Sequence, residues 1–218
     1  MLQTKEMLDL SHSLAGGYLS CFPSPWQALD GIRDLILALG PTLDDDYIQQ
    51  GSQIWIHKTA RVAPSASITG PCILGPGTEV RHCAFIRGNA LVGANCVVGN
   101  STELKNVILF DEVQVPHFNY VGDSILGYRA HLGAGAVTSN VRSDRSDIVV
   151  RDGPEQVPTG RRKFGAVLGD LVEVGCNSVL NPGTLVGRGS SIYPTSCVRG
   201  VVPAHSIHKQ DGTIVPIV

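Results

Sequence analysis

The sequence predicts an all-β solenoid, a parallel β-helix of hexapeptide repeats with a short N-terminal helix. Three observations predict it: aliphatic residues recur every six positions, glycine often follows them, and small residues stand four places after them. No α-helix or simple sandwich requires a six-residue period, whereas a coil with one inward aliphatic side chain per face does. The aliphatic positions are Val62, Ile68, Leu74, Val80, Ile86, Val92, Val98 and Leu104, and then Leu168, Val174, Leu180, Val186, Ile192 and Val198.

Composition narrows the class of protein before any motif is considered. The chain has 218 residues, of which 43% are hydrophobic, and a formal net charge of −2. These values predict one soluble domain with a small appendage and indicate no nucleic-acid partner. No stretch approaches the roughly 20 apolar residues of a membrane span, and the first ten residues make a poor signal peptide. We therefore expect a cytoplasmic protein without a membrane partner.

Residues 1–52 form the predicted N-terminal segment. Apolar residues keep helical spacing over about 24–39, where Ser24 and Pro25 favour a helix start and Gly40 with Pro41 favours a stop. Because the open ends of a repeat protein need covering, we expect this helix to cap the first coil. The polar stretch 44–51 is predicted to be a linker.

Residues 53–203 form the predicted β-helix, and its repeat fails in two ways. The step from Leu104 to Leu109 and the step from Val121 to Leu126 are five residues, so two coils are one residue short. A polar insertion, residues 138–163, then interrupts the repeat. A long loop inside a compact repeat is usually functional or disordered. Residues 204–218 are expected to leave the coil as a C-terminal tail.

The cysteines and histidines indicate no metal site. Six cysteines are present without any paired C-x-x-C spacing. Cys72 and Cys96 fall on the small-residue positions, so packing in a reducing compartment is their predicted role. The histidines also lack the spacing of zinc ligands, and no metal is expected.

Polar residues that interrupt the repeat mark the candidate site. A histidine beside a carboxylate can act as a general base near neutral pH, and nearby lysine or arginine can hold an anionic group. These candidates are Glu103, Lys105, His117, Asn119, Tyr120, His131 and Asn140. On spacing alone, a histidine at a corner is more often a surface residue than a base, and the basic run 161–163 is more often solvated than phosphate-binding.

Two strings resemble a known family. Residues 115–124, VPHFNYVGDS, and residues 132–140, LGAGAVTSN, resemble the acetyltransferase half of bacterial bifunctional N-acetylglucosamine-1-phosphate uridyltransferase/glucosamine-1-phosphate acetyltransferase. The resemblance covers roughly residues 54–203, and the preceding helix is similar to the linker of related sugar-phosphate nucleotidyltransferases. It implies a left-handed β-helix, a handedness that the six-residue period does not determine.

The resemblance also implies a role for individual residues. His117 matches the general base, Glu103 the carboxylate that supports it, and Asn140 an asparagine that positions the substrate. The implied substrate-binding positions are Arg87, Lys105, Tyr120, His131 and Lys163, the last contributed by another subunit. The implied positions near acetyl-CoA are Ala134, Cys176 and Pro194.

The implied activity is acetyl-CoA-dependent N-acetylation of an amino-sugar phosphate or a nucleotide-linked amino sugar by a homotrimer, with no metal required. The chain departs from the family pattern at four positions. His131 replaces a sugar-binding asparagine, Val141 a tyrosine, Cys176 a serine, and Pro194 an alanine whose N–H proline lacks. The insertion is also longer, and because no Gly-rich nucleotide loop stands before the helix, we expect no nucleotidyl activity from this chain.

Two other functions fit parts of this pattern. One is a non-catalytic trimerisation or regulatory module, related to sugar-1-phosphate nucleotidyltransferases, that works with a separate nucleotidyltransferase subunit. The other is a carbonic anhydrase of the related β-helix type, which needs histidines that converge on zinc across an interface, and the spacing offers no convincing set. We prefer the acyltransferase because seven residues at matching offsets, namely His, Glu, Arg, two Lys, Tyr and Asn, are hard to explain by fold alone.

Overall fold

The computed structural model describes residues 2–217, which form a left-handed parallel β-helix of about nine coils with a small helical segment. The predicted fold class and handedness are thereby confirmed. The predicted domain limits at Met1 and Val218 lie outside the described residues. No helix within residues 2–217 is long and apolar enough to cross a bilayer.

The helices all precede the coils. They are α1 (Thr4–Met7), α2 (Gly16–Leu19) and α3 (Ile32–Leu39), with 3-10 turns at Leu10–His12, Pro25–Gly31 and Gly40–Thr42. The strands are β1 (Tyr47–Gln50), β2 (Ile54–His57), β3 (Arg61–Val62), β4 (Ser67–Ile68), β5 (Cys72–Leu74), β6 (Glu79–Val80), β7 (Phe85–Ile86), β8 (Ala90–Val92), β9 (Val97–Asn100), β10 (Glu103–Leu109), β11 (Gln114–His117), β12 (Tyr120–Leu126), β13 (His131–Leu132), β14 (Val137–Thr138), β15 (Ile148–Asp152), β16 (Glu155–Arg161), β17 (Ala166–Leu168), β18 (Glu173–Val174), β19 (Val179–Leu180), β20 (Thr184–Val186), β21 (Ser191–Ile192), β22 (Cys197–Val198), β23 (Val201–Val202), β24 (Ser206–His208) and β25 (Ile214–Pro216).

The coil strands stack in parallel on three faces of the solenoid. The first face carries β3, β6, β9, β11, β13, β18, β21 and β24. The second carries β4, β7, β14, β19, β22 and the first halves of β10 and β12, and the third carries β2, β5, β8, β17, β20, β23 and their second halves. Because β10 and β12 bend around a corner without a break, the second and third faces join in one sheet.

The predicted aliphatic positions form the core. From Leu74 to Val198 every one of them is at most 2% exposed. Buried hydroxyls between them find carbonyl acceptors on the neighbouring coil, as the 2.7 Å bond from Thr78 Oγ1 to the Gly93 oxygen shows. The repeated glycines allow coils to approach closely: a Cβ on Gly75 would lie 2.5 Å from the Gly93 oxygen. The sharp turns between strands are made by other residues, such as Asn95, with φ of 53°.

The N-terminal segment lies along the third face of the solenoid rather than over its first coil. Helix α3 contacts β8 and β10, and the 3-10 turn before it contacts β12. The side chains of Trp26, Leu29, Ile32 and Ile36 are at most 3% exposed. A flat face of aliphatic strands offers this apolar stripe more contact than the narrow end of a coil does.

An antiparallel strand extends one face of the solenoid at each end. Strand β1, in the predicted linker, pairs with β2, and β25, in the predicted tail, pairs with β24. Both are the outermost strands of their sheets, where unpaired backbone groups would otherwise be open to other chains. At the first coil, which we assigned to the helix, a strand therefore pairs with the edge of the third face instead.

The insertion folds into a hairpin of β15 and β16. Ile148 and Val150 are fully buried, so the hairpin packs on the later coils instead of extending into solvent. At its base, the Phe164 N–H donates to the Asn140 oxygen at 3.0 Å, which closes the insertion beside a predicted site residue.

Thiol labelling tests the packing of the cysteines. Cys72 and Cys96 are buried, and burial raises the pKa of both thiols to about 12, so at neutral pH they stay protonated and unreactive. Brief treatment of the native protein with iodoacetamide should modify the exposed residues Cys21, Cys83, Cys176 and Cys197 and spare these two. Peptide mass spectrometry measures it, and denatured protein, labelled at all six positions, is the control. Rapid native labelling of Cys72 or Cys96 would contradict the described core.

Candidate active site

One corner of the solenoid, where the first face meets the second, carries His117 and all three predicted cofactor-binding residues. The backbone N–H groups of Phe118, Gly135, Asn177 and Thr195 donate to the oxygens of Asn100, His117, Ala134 and Cys176, at 3.0, 3.0, 2.8 and 2.8 Å. These bonds place Asn100, His117, Ala134, Cys176 and Pro194 on successive coils, about 4.8 Å apart. We call this column the histidine corner.

The histidine corner presents two backbone donors. Within residues 2–217, the N–H groups of Ala134 and Cys176 have no acceptor, whereas most backbone groups around them are paired. Ala134 stands on the coil next to His117. A free N–H beside a base is the arrangement that stabilises a developing oxyanion. Pro194, one coil beyond Cys176, has no N–H and cannot extend the row.

His117 is held by its neighbours and open to solvent. Its Nδ1 lies 3.3 Å from the side-chain amide of Asn100, and its backbone N–H donates to Asn119 Oδ1 at 3.1 Å. Asn119 is 2% exposed and donates through Nδ2 to the oxygens of Gly133 and Ala136. Sequence reasoning noted Asn119 without a role, and it fixes the corner on which the histidine stands.

Glu103 pairs with Arg87 in this single chain. Their side chains form an ion pair of 2.6 Å, and no hydrogen bond joins Glu103 to His117 among the described residues. The register explains the difference: Glu103 lies beside Phe85 and Tyr120 on the second face, beyond the corner from His117. The role of Glu103 as support for the base stays a prediction.

Asp123, which sequence reasoning left without a role, connects several predicted site residues. It is 3% exposed and accepts from Lys105 Nζ at 3.1 Å, Asn106 Nδ2 at 3.0 Å and Asn140 Nδ2 at 2.6 Å. It stands at the corner that follows the second face, with φ of 46°. Its place in the string VPHFNYVGDS, six residues after His117, was the available signal.

Tyr120 lies beside this network. A Cβ on Gly122 would lie 2.5 Å from the Tyr120 hydroxyl and 2.9 Å from Asn140 Nδ2, so the glycine leaves room for both groups. Burial, and then the carboxylates of Asp123 and Glu103, raises the pKa of Tyr120 above its ordinary value. The hydroxyl therefore stays protonated at neutral pH and available as a donor.

Lys105 and Lys163 line one groove of about 380 Å³. Its wall also includes Arg162 and the Asp123 carboxylate. Lys105 is paired with Asp123, whereas Lys163 has no ion pair among the described residues. We call it the lysine groove. The resemblance implied that Lys163 comes from another subunit, and here the chain's own hairpin brings it to Lys105.

His131 stands apart from the histidine corner. Its Nδ1 lies 2.7 Å from Glu173 Oε2, and its strand neighbours on the first face are Gln114 and Glu173. It precedes Ala134 by three residues, at the far end of the short strand. No group of three histidine, cysteine or acidic side chains within residues 2–217 could hold a metal ion.

Comparison with known proteins identifies the family. The model of the GMPPB C-terminal domain matches residues 68–210, most of the solenoid. The bifunctional protein GlmU of Methanococcus aeolicus is 30% identical over 204 residues, which are 91% of this chain and 49% of that protein. The bifunctional sugar-1-phosphate nucleotidylyltransferase/acetyltransferase of Sulfurisphaera tokodaii is 27% identical over 187 residues, which are 84% of this chain and 47% of that protein.

The chain thus spans about half the length of these curated relatives. Among solved structures, the acetyltransferase domain of PglB from Neisseria gonorrhoeae is 16% identical, with a TM-score of 0.35 over 85% of this chain and 65% of that one. The resemblance inferred from the two strings is confirmed by the sequence relatives. Because the family model covers well over half of its residues, the chain belongs to the family of the GMPPB C-terminal domain and is a relative of the GlmU proteins.

Proposed function

We propose that the chain is an acetyl-CoA-dependent N-acetyltransferase that acts on an amino-sugar phosphate or a nucleotide-linked amino sugar, with His117 as general base. The observation that carries this proposal is the histidine corner, where an exposed imidazole stands one coil from the unpaired N–H of Ala134. The lysine groove adds cations suited to an anionic sugar substituent. Two relatives also support it. One is named bifunctional protein GlmU, and the other is named bifunctional sugar-1-phosphate nucleotidylyltransferase/acetyltransferase.

The proposed chemistry is direct transfer. The substrate amine attacks the thioester carbonyl, and His117 takes the proton that the nitrogen loses as the C–N bond forms. The Ala134 N–H stabilises the oxygen that gains charge. The C–S bond then breaks, and the leaving thiolate takes the proton from the imidazolium, so the histidine returns to its neutral form.

This role requires a lone pair on His117 Nε2 and a proton on Nδ1. The two orientations of the Asn100 amide are isosteric, so Oδ1 can occupy the position 3.3 Å from Nδ1 and accept that proton. In that orientation Asn100 supports the tautomer with its proton on Nδ1, which a general base at Nε2 requires.

The direct test is release of free thiol. The chain is incubated with acetyl-CoA and a panel of amino sugars, amino-sugar 1-phosphates and nucleotide-linked amino sugars. We expect turnover with at least one phosphorylated member and an N-acetylated product by mass spectrometry. If folded protein turns over no member of the panel above the rate in buffer, the proposed function is wrong.

The non-catalytic trimerisation or regulatory module is a second candidate because of Pro194. The row of N–H donors in the histidine corner ends at this residue, which removes one backbone contact from the coenzyme side. In that role the chain would form a homotrimer and bind a separate nucleotidyltransferase subunit. Co-purification of such a subunit with an inactive chain would favour the module, and an active isolated chain would exclude it as the sole function.

Replacement of Lys163 tests the lysine groove. Lys163→Ala should raise KM for the phosphorylated acceptor about tenfold or more, because one charged contact to phosphate is lost, and leave kcat within a factor of about two. The exposed residue Lys5, distant in sequence and placed in α1, provides the control Lys5→Ala. Steady-state kinetics with the phosphorylated acceptor and with the unphosphorylated amino sugar measures the effect. An equal change for an unphosphorylated amino sugar would contradict phosphate binding by Lys163.

A further inference from the structure

A second groove lies where the insertion folds against the later coils. It has a volume of about 240 Å³ and is lined by Arg142, Arg151 and Arg199, with Ser139 and Asn181 between them. Arg142 comes from the loop, Arg151 from β15, and Arg199 from the residue after β22. We call it the arginine groove. None of its residues belongs to the constellation described for the histidine corner.

The arginine groove gathers more positive charge than the chain neutralises. Arg142 is paired with Asp144 at 2.8 Å. Within residues 2–217, neither Arg151 nor Arg199 forms an ion pair, and the one side-chain hydrogen bond of Arg199 goes to the Asn181 amide oxygen, at 3.5 Å. Both side chains are exposed, so their guanidinium groups are open to an anion from solution. Separate segments of the chain therefore build a cationic site around one carboxylate.

The arginine groove shares a face of the solenoid with the lysine groove. Lys105 pairs in register with Gly122, and the bonds of the Ser139 and Asn181 N–H groups, both 2.9 Å, extend that column to Arg199. Four coil steps separate Lys105 from Arg199, about 19 Å at the usual spacing. One extended anionic ligand on this face can therefore reach from the acceptor site toward the arginines.

We propose that the arginine groove binds a diphosphate group. Guanidinium groups match the geometry of phosphate oxygens with pairs of N–H donors, and several around one groove suit two linked phosphates. The volume fits a diphosphate and is below the usual size of a pocket for a whole nucleotide. Coenzyme A and nucleotide-linked sugars both carry this group. Which of them is the source depends on the proposed transferase function, whereas diphosphate binding does not.

Calorimetry with inorganic pyrophosphate tests the proposal directly. The native chain should bind it, and the double variant Arg151→Gln, Arg199→Gln should bind about tenfold or more weakly, because two charged contacts are lost. Arg145→Gln, in the same insertion but outside the groove, is the matched control and should bind like the native chain. Absence of binding to the native chain in the millimolar range, or equal weakening in the control, would overturn the proposal.

Coenzyme A and the nucleoside diphosphates UDP and GDP distinguish the sources. A loss of affinity in the double variant for coenzyme A alone assigns the groove to the coenzyme, and a loss for UDP or GDP alone assigns it to a nucleotide-linked sugar. Affinities that all stay unchanged in the double variant count against the groove. Pyrophosphate binding without any acetyl transfer would refute the proposed function and leave the diphosphate site standing.

Discussion

Substitution of His117 by alanine should lower kcat/KM for acetyl transfer about 10²- to 10⁴-fold, the usual contribution of a positioned general base. The loss should fall on kcat, because His117 is exposed at a corner and its ring fills no core space. KM for the acceptor should change little, since the lysine groove is lined by other residues. Thiol release with the best acceptor of the panel measures the effect.

His82→Ala is the matched control for this substitution. His82 is also exposed, and it stands on the same corner, where its oxygen accepts from the Ser101 N–H at 3.2 Å. It is two coils from His117 and has no unpaired Ala134 N–H beside it, so its loss should leave the rate within a factor of about two. If both variants lose activity equally, His117 is not the base, and the loss reflects the corner as a whole.

The nearly constant number of residues per coil explains how much of the candidate site could be predicted from the sequence. Neighbours across the ladder are 17 or 18 residues apart, as in Val97 with Gln114 and Glu79 with Val97. The same offsets connect Asn100 with His117 and Lys105 with Asp123. A period measured from the aliphatic positions therefore fixes spatial neighbours, and counted back one coil from His117 it leads to Asn100.

The number of residues per coil no longer predicts spatial neighbours where the repeat is interrupted. His131 and Glu173 are 42 residues apart because the hairpin lies between their coils, so no period predicts their 2.7 Å contact. Lys163 lies at the end of that hairpin, and its position depends on how β15 and β16 pack on the coils. The sequence showed that the insertion was polar, but the apolar pair Ile148 and Val150 determines where it docks.

The N-terminal segment is the other part of the chain whose position the repeat does not predict. Its helical spacing was visible, yet spacing describes one apolar stripe and does not say which surface covers it. The Asp9 N–H reaches Asp170 across 161 residues of sequence, at 2.7 Å. Contacts of that separation follow from the shape of the third face and from buried polar groups, which no local pattern encodes.

Asp170→Ala should therefore destabilise the fold by about 2–4 kcal/mol, because it removes a buried carboxylate that accepts three hydrogen bonds. The Asp170 carboxylate is 3% exposed and accepts from the Asp9 N–H, from the Tyr128 N–H at 2.9 Å and from Arg188 Nη2 at 2.6 Å. Alanine leaves two backbone donors and one guanidinium without their acceptor. Urea denaturation monitored by circular dichroism measures the free energy of unfolding.

Asp144→Ala separates burial from charge in this experiment. Asp144 also pairs with an arginine, Arg142, but both side chains are partly exposed, at 55% and 31%. Exposed pairs contribute about 0–1 kcal/mol, so this variant should unfold almost as the native chain does. The Asp170 variant should also release residues 4–22 to proteases, since Asp9 loses its contact with the solenoid. Similar losses of stability in both variants would show that Asp170 does not anchor the N-terminal segment.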